Sequence, residues 1–434
     1  MSSSSGLPPV PLARNLAARG FSSLTSVQRA VLAAMPQPGD LLVSAPTGTG
    51  KTLAFGIAIA ACLLGPAGAV VPGEAPRALV VVPTRDIAAQ VRREFLWLFA
   101  GTGARIACCT GGTELQAERA LLAAGVDLVV GTPGRLRDHV EAGKLRLGEV
   151  GLLVLDEADD LLTKGFRPDL DRILAALPQE RRLLLFSATI PPRAEELARR
   201  LCAGARMVAV RDAAGAPGGV ALQGVAVPPG AERAVIARLL RYHAARAALV
   251  FCPRRTAVTE LADWLAGCGL RIVSLSGALS RVEREAALAG LRAGSVSICV
   301  ATDLAARGLD LPNVDLVIHA GMPQSPEALL HRCGRTGRAG RSGLAILVVG
   351  AAERAKAERF ARRAGLALVW SEAPDEAALL ARDHERMLKD PALGPAEPAD
   401  HAGIIARLIA VHSPEALARA YARLWRALRP VLPI

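Results

Sequence analysis

Short, unbroken apolar runs recur along this chain, each followed by a loop and then a helical stretch. In the first half they fall at residues 41–44, 78–82, 127–130, 152–155 and 183–186. In the second they fall at 248–251, 271–274, 297–300, 316–318 and 344–349. Runs of this kind suit strands buried on both faces, and their alternation with helices requires parallel sheets covered by helices on each side. The chain is therefore read as α/β, with the pattern built twice. The 434 residues are enough for roughly three domains.

Between the two series lies a Gly- and Pro-rich stretch, 211–230, read as a linker whose tail pairs into the second domain as a strand. The first domain is placed at 20–210 and the second at 231–369. A helical tail follows at 370–434, with Leu, Ala and Ile at helical spacing. Residues 1–19 precede the pattern, and their Ser-rich start is expected to be disordered and not a signal peptide. The hydrophobic fraction is 51% and the charged fraction 21%, which excludes a disordered chain. Aromatics are 3%, so the cores are aliphatic.

Fifty-two Lys and Arg against 40 Asp and Glu give a net charge of +12, mostly from Arg, which suits a polyanionic partner. No cysteine pair has Cys-x-x-Cys spacing, so zinc and thioredoxin-like readings fail and a reducing cytoplasm is expected. Residues 53–71 are uncharged and near membrane-span length. Gly65-Pro66 breaks them, leaving one buried helix of about 12 residues and no membrane partner.

Two motifs carry chemistry on their own. Ala45-Pro46-Thr47-Gly48-Thr49-Gly50-Lys51-Thr52 joins a strand to a helix, the context a phosphate loop requires. Its glycines let backbone N–H groups curl around phosphate oxygens at a helix N-terminus. Lys51 reaches the β- and γ-phosphates, and the Thr52 hydroxyl completes a Mg²⁺ shell. The run at 152–155 ends in Asp156-Glu157-Ala158-Asp159. A carboxylate at the carboxyl end of a parallel strand points into the ligand crevice. Asp156 is assigned to Mg²⁺, partly through water, and Glu157 to orienting and deprotonating the attacking water.

With Asp156 to Asp159 in place, the chain resembles the DEAD-box family of ATP-dependent RNA helicases. The match runs in the family's order across roughly residues 20–345. The resemblance implies two tandem RecA-like domains, ATP and Mg²⁺ as cofactors, and RNA as a largely sequence-independent partner. It assigns Phe21 and Gln28 to adenine, with Leu24 where the family has Pro. Asp310 joins the cofactor-binding set. Pro83, Thr84, Arg85, Gly112, Thr132, Pro133, Gly134 and Arg135 become RNA contacts in the first domain. Arg254, Gly277, Thr302, Asp303, Arg307 and Gly308 do so in the second. Asp159, Ser187, Thr189 and His331 couple hydrolysis to strand separation. Arg335 and Arg338 become arginine fingers, so ATP is expected at the seam between two lobes. Ser276, Ala278 and Arg281 depart from the family pattern.

Two other readings stay open: a DNA-directed superfamily 2 motor, and an ATP-dependent RNA clamp that unwinds little. The tail is loosely similar to the dimerisation segment of the Hera subgroup, which implies a homodimer.

Overall fold

The computed structural model describes residues 8–45, 48–71, 73–162, 165–187, 201, 204–210, 219–275, 279, 281–303, 314–337, 342–393 and 402–427. Pro46, Thr47, Thr189, Gly277, Arg307, Gly308, Asp310 and Arg338 lie outside them, as do Ser276 and Ala278. The chain divides into two units, one of residues 1–218 with 306–310 and one of residues 219–305 with 311–434.

In the first unit the strands are β1 (Leu41–Ser44), β2 (Ala78–Val81), β3 (Ile106–Cys109), β4 (Leu128–Gly131), β5 (Leu152–Leu155), β6 (Arg182–Ser187) and β7 (Arg206–Ala209). They pair in parallel in the order β3-β4-β2-β5-β6-β1-β7. Successive side chains alternate between faces, so one run feeds two cores. Val80, Leu152 and Val154 pack in one core, while Leu79, Leu153 and Leu155 pack in the other. The uncharged stretch is one buried helix, Lys51–Leu63, closed by a turn in which the Gly68 N–H donates to the Gly65 carbonyl. No helix among the described residues is long and apolar enough to cross a membrane.

The second unit holds β8 (Val220–Val227), β9 (Ala248–Phe251), β10 (Ile272–Leu275), β11 (Ile298–Ala301), β12 (Leu316–Ala320), β13 (Gly343–Gly350) and β14 (Leu368–Ser371). Their order, β10-β11-β9-β12-β13-β8-β14, repeats that of the first sheet, again all parallel. The tail is helical at Glu376–Leu388, Ala402–Val411 and Pro414–Ala427.

Both segments that flank the first domain carry regular structure. Residues 220–227, inside the segment read as a linker, form an interior strand with both neighbours bonded. Gly224 disguises it; a Cβ there would lie 2.6 Å from the Trp370 ring, so only glycine admits that indole. The N-terminal segment is also not featureless. Val10–Ala18 is a helix that buries Leu12 and Leu16 in the first core, while Asn15 Nδ2 donates to the Leu98 and Ala100 carbonyls. The Ser-rich start lies outside the described residues.

Candidate active site

β1 delivers the chain to the phosphate loop, and the Ala45 N–H donates to the Ser187 carbonyl at 3.1 Å. Gly48 and Gly50 take φ of +82° and +86°, a region that side chains with a Cβ avoid. The helix starts at Lys51, which is buried and donates through Nζ to the Ala45 carbonyl at 3.1 Å. An ammonium folded under its own loop stands where phosphate oxygens are met.

Asp156 follows β5 and is buried beside that ammonium. Burial pushes its carboxyl up to about 7; Lys51 opposes the shift, and Glu157 adds to it. An oxygen donor held this way gains from further positive charge, so Asp156 and the Thr52 hydroxyl suit a hard divalent cation. Glu157 is strained, with φ of +50°, and its N–H donates to Asp156 Oδ1 at 3.0 Å. Ser187 Oγ donates to Asp159 Oδ1 at 2.9 Å. One serine thus bonds the acidic motif through its side chain and the start of the phosphate loop through its carbonyl.

Gln28 is 2% exposed and closes a capping box with Thr25. Its Oε1 accepts from the Thr25 N–H at 2.9 Å, and its Nε2 donates to the Gly50 carbonyl at 3.2 Å. A Cβ on Gly50 would overlap that amide. The side chain that the resemblance assigns to adenine thus also caps its helix. Phe21 is exposed and stacks on Trp97, with centroids 6.0 Å apart, while Arg19 lies over the same indole. Trp97 carried no sequence signal, because it is one residue near the end of the helix Arg85–Leu98 with no motif around it.

A second group of predicted residues gathers at the β2, β3 and β4 end. Thr84 caps the helix Arg85–Leu98 by accepting from the Ile87 N–H. The Arg85 guanidinium lies against Gly111 and Gly112, where a Cβ would overlap it. Thr132 is the N-cap of Pro133–Glu141, and Pro133 is buried. Arg135 reaches Glu118 at 3.6 Å and donates to the Thr113 carbonyl at 3.4 Å. Cys109, Glu118 and His139 lie close enough together to suggest a metal set. Glu118 is already engaged by protein donors, and burial pushes the Cys109 thiol far up, which opposes thiolate ligation.

In the second unit Arg254 is exposed at the start of Arg255–Gly267. Asp303 follows β11, but both of its oxygens accept from Arg332, at 2.5 and 2.7 Å. Arg332 is 2% exposed and lies over Phe251. The carboxylate expected on RNA is therefore an internal anchor. His331 and Arg335 are buried around the end of Pro326–Cys333. His319, absent from the sequence reading, is fully buried against Phe251 and Cys333.

The DEAD/DEAH box helicase family profile matches residues 25–197, and the helicase conserved C-terminal domain matches 231–340. The DEAD-box ATP-dependent RNA helicase CshA of Geobacillus kaustophilus is 37% identical over 317 residues, covering 73% of this chain and 67% of the relative. The chain belongs to the DEAD-box helicase family. DEAD-box ATP-dependent RNA helicase 9 of Oryza sativa is 39% identical over 323 residues, or 74% of this chain and 51% of that protein. The chain thus spans about half the length of the plant relatives it matches. In fold it is similar to S. cerevisiae Dbp5 bound to RNA and ADP BeF3, with TM-score 0.76 and 22% identity over 86% of this chain and 97% of that one. It is also similar to Mss116p bound to ssRNA and AMP-PNP, with TM-score 0.74 and 24% identity over 97% and 89%. These likenesses identify both sheets as RecA-like, as the sequence implied.

Proposed function

We propose that this DEAD-box chain is an RNA-dependent ATPase that couples ATP binding and hydrolysis to local separation of RNA duplexes. The observation that carries the reading is the pairing of buried Lys51 and Asp156 under a helix N-terminus, tied through Asp159 and Ser187 to the neighbouring strand. Lys51 and the loop N–H groups hold the phosphates. Thr52 and Asp156 would hold Mg²⁺, which supplies charge neutralisation between the phosphates. Glu157 orients the attacking water and takes its proton. Arg335 and Arg338 are assigned to the charge that develops on the γ-phosphate. Arg85, Arg135 and Arg254 are assigned to RNA phosphates, which position the strand without reading bases.

Lys51→Ala and Glu157→Gln are expected to abolish RNA-stimulated ATPase, and Arg335→Ala to lower it by about 10³. Full RNA-stimulated turnover in the Lys51 or Glu157 variant overturns the assignment. Equal stimulation by single-stranded DNA would favour the DNA-directed motor. RNA-stimulated turnover without strand displacement would favour the clamp.

A homodimer is the second element of this reading. Ile404, Ile405, Leu408 and Ile409 stand exposed along one short helix of the tail, and an apolar stripe gains stability by burial against another surface. A cytoplasmic location is supported by seven free thiols among the described residues.

A further inference from the structure

Two arginines assigned to RNA stand in the first turns of separate helices of the first unit, Arg85–Leu98 and Pro133–Glu141, and one buried carboxylate connects the segments they rest on. Glu118 is 4% exposed, on the helix Leu115–Ala123. Its Oε1 accepts from the Thr110 N–H at 3.0 Å and from the Thr113 hydroxyl. These two donors bracket Gly111 and Gly112, the pair against which the Arg85 guanidinium lies. Its Oε2 accepts from His139 Nε2 at 2.7 Å and faces Arg135 Nη1 at 3.6 Å. His139 and Arg135 share the helix Pro133–Glu141. Because an ionised carboxylate only accepts, the His139 proton sits on Nε2.

We propose that Glu118 is a positioning residue that sets the 110–113 loop and the helix Pro133–Glu141 in register, so that Arg85 and Arg135 present their guanidiniums to one RNA backbone together. The proposal rests on the RNA-binding reading of those arginines. Glu118 holds Arg135 through the ion pair, and holds Arg85 indirectly by fixing the loop it packs on. A surface carboxylate near an RNA groove would repel phosphate. A buried one, with its lone pairs turned inward to protein donors, organises cations while presenting no charge to the groove.

The test uses the full chain and three substitutions: Glu118→Gln, Arg135→Ala and Arg85→Ala. Glutamine keeps the size of the side chain and its acceptor for Thr110 and Thr113, and its amide N–H is accepted by His139 Nε2 once that ring carries its proton on Nδ1, but it removes the anion facing Arg135. Glu118→Gln is expected to raise the single-stranded RNA concentration for half-maximal ATPase by about fivefold, the scale of one ion pair. Turnover at saturating RNA, the KM for ATP and the melting temperature stay near those of the parent. In the Arg135→Ala background, Glu118→Gln adds less than about twofold, because its effect passes largely through that arginine.

A Glu118→Gln protein with unchanged RNA half-saturation, alongside arginine variants that weaken it, overturns the positioning role. A fully additive double variant does the same, since the carboxylate would then act by packing alone. If Arg85→Ala and Arg135→Ala also leave RNA half-saturation unchanged, the RNA-binding reading of this face fails instead.

Discussion

A single amide illustrates how much one residue can hold. Gln28 caps its own helix and fastens it to the last glycine of the phosphate loop. Gln28→Ala removes both bonds. It is expected to cost about 1 kcal/mol of stability, as lost caps do. Gln28→Glu keeps the acceptor for the Thr25 N–H but cannot donate to Gly50, so thermal melting should separate the two variants. Nucleotide titration should group them, with ATP affinity about tenfold weaker in both, the scale of a lost hydrogen bond. Parent-like ATP affinity in Gln28→Glu would show that the donor end has no part in the nucleotide site. Motif residues such as Lys51 and Asp156 were legible because their chemistry is written in a few adjacent letters, whereas Ser187 was reached only through its place in the family's order. Glu118, Trp97 and His319 were not. Each is an ordinary helix or strand residue until folding brings it a distant partner.

At the level of strands and helices, burial decided what could be read. Interior strands such as β2 and β5 are apolar on both faces and were found within a residue. β3, β7 and β14 lie at sheet edges, are four residues long and are only partly buried, so their letters do not stand out. The entrance to β3 and β4 is fastened by Asp127, which is buried and accepts from the Arg105 backbone N–H and from its guanidinium at 2.9 to 3.1 Å. Burial alone would raise that carboxyl, but the bonds from Arg105 outweigh it and hold the group below the usual carboxylate range. A carboxyl more acidic when folded than unfolded contributes its full stability above the unfolded value near 3.9, and loses it as pH falls through the lower folded value. Asp127→Asn is therefore expected to cost about 1–3 kcal/mol at pH 7. The gap between variant and parent should narrow below about pH 4 and close once the pH has fallen through the lower folded value. Melting curves across that range test it, and a gap independent of pH would mean that packing, not charge, sets the loss.

At the scale of the whole molecule, the two units repeat one strand order but not one chemistry. The turn after β1 carries Lys51 and Thr52. The corresponding turn after β8 reads Pro228-Pro229-Gly230, and the 180 Å³ cavity beside it is lined in part by Glu232, Glu260 and Glu353. Glu260 there pairs with Arg233, but the carboxylates outnumber that one arginine and disfavour phosphate, which agrees with the assignment of nucleotide chemistry to the first unit. The tail adds a separate question. Sedimentation of the full chain is expected to give a dimer, and Ile405→Glu with Ile409→Glu a monomer of unchanged ATPase; a monomeric parent at micromolar concentration would remove the homodimer. RNA binding itself should follow from charge more than sequence. If Arg85, Arg135, Arg254 and their neighbours neutralise about five phosphates, log affinity for single-stranded RNA falls against log salt with a slope of about −3.5. Affinity then drops about a hundredfold between 50 and 200 mM salt, and Arg85→Ala reduces the slope by about 0.7. Homopolymers of different base should differ far less than this. A shallow slope combined with strong base preference would place recognition on base edges, and the backbone-holding loops of both units would then need another purpose.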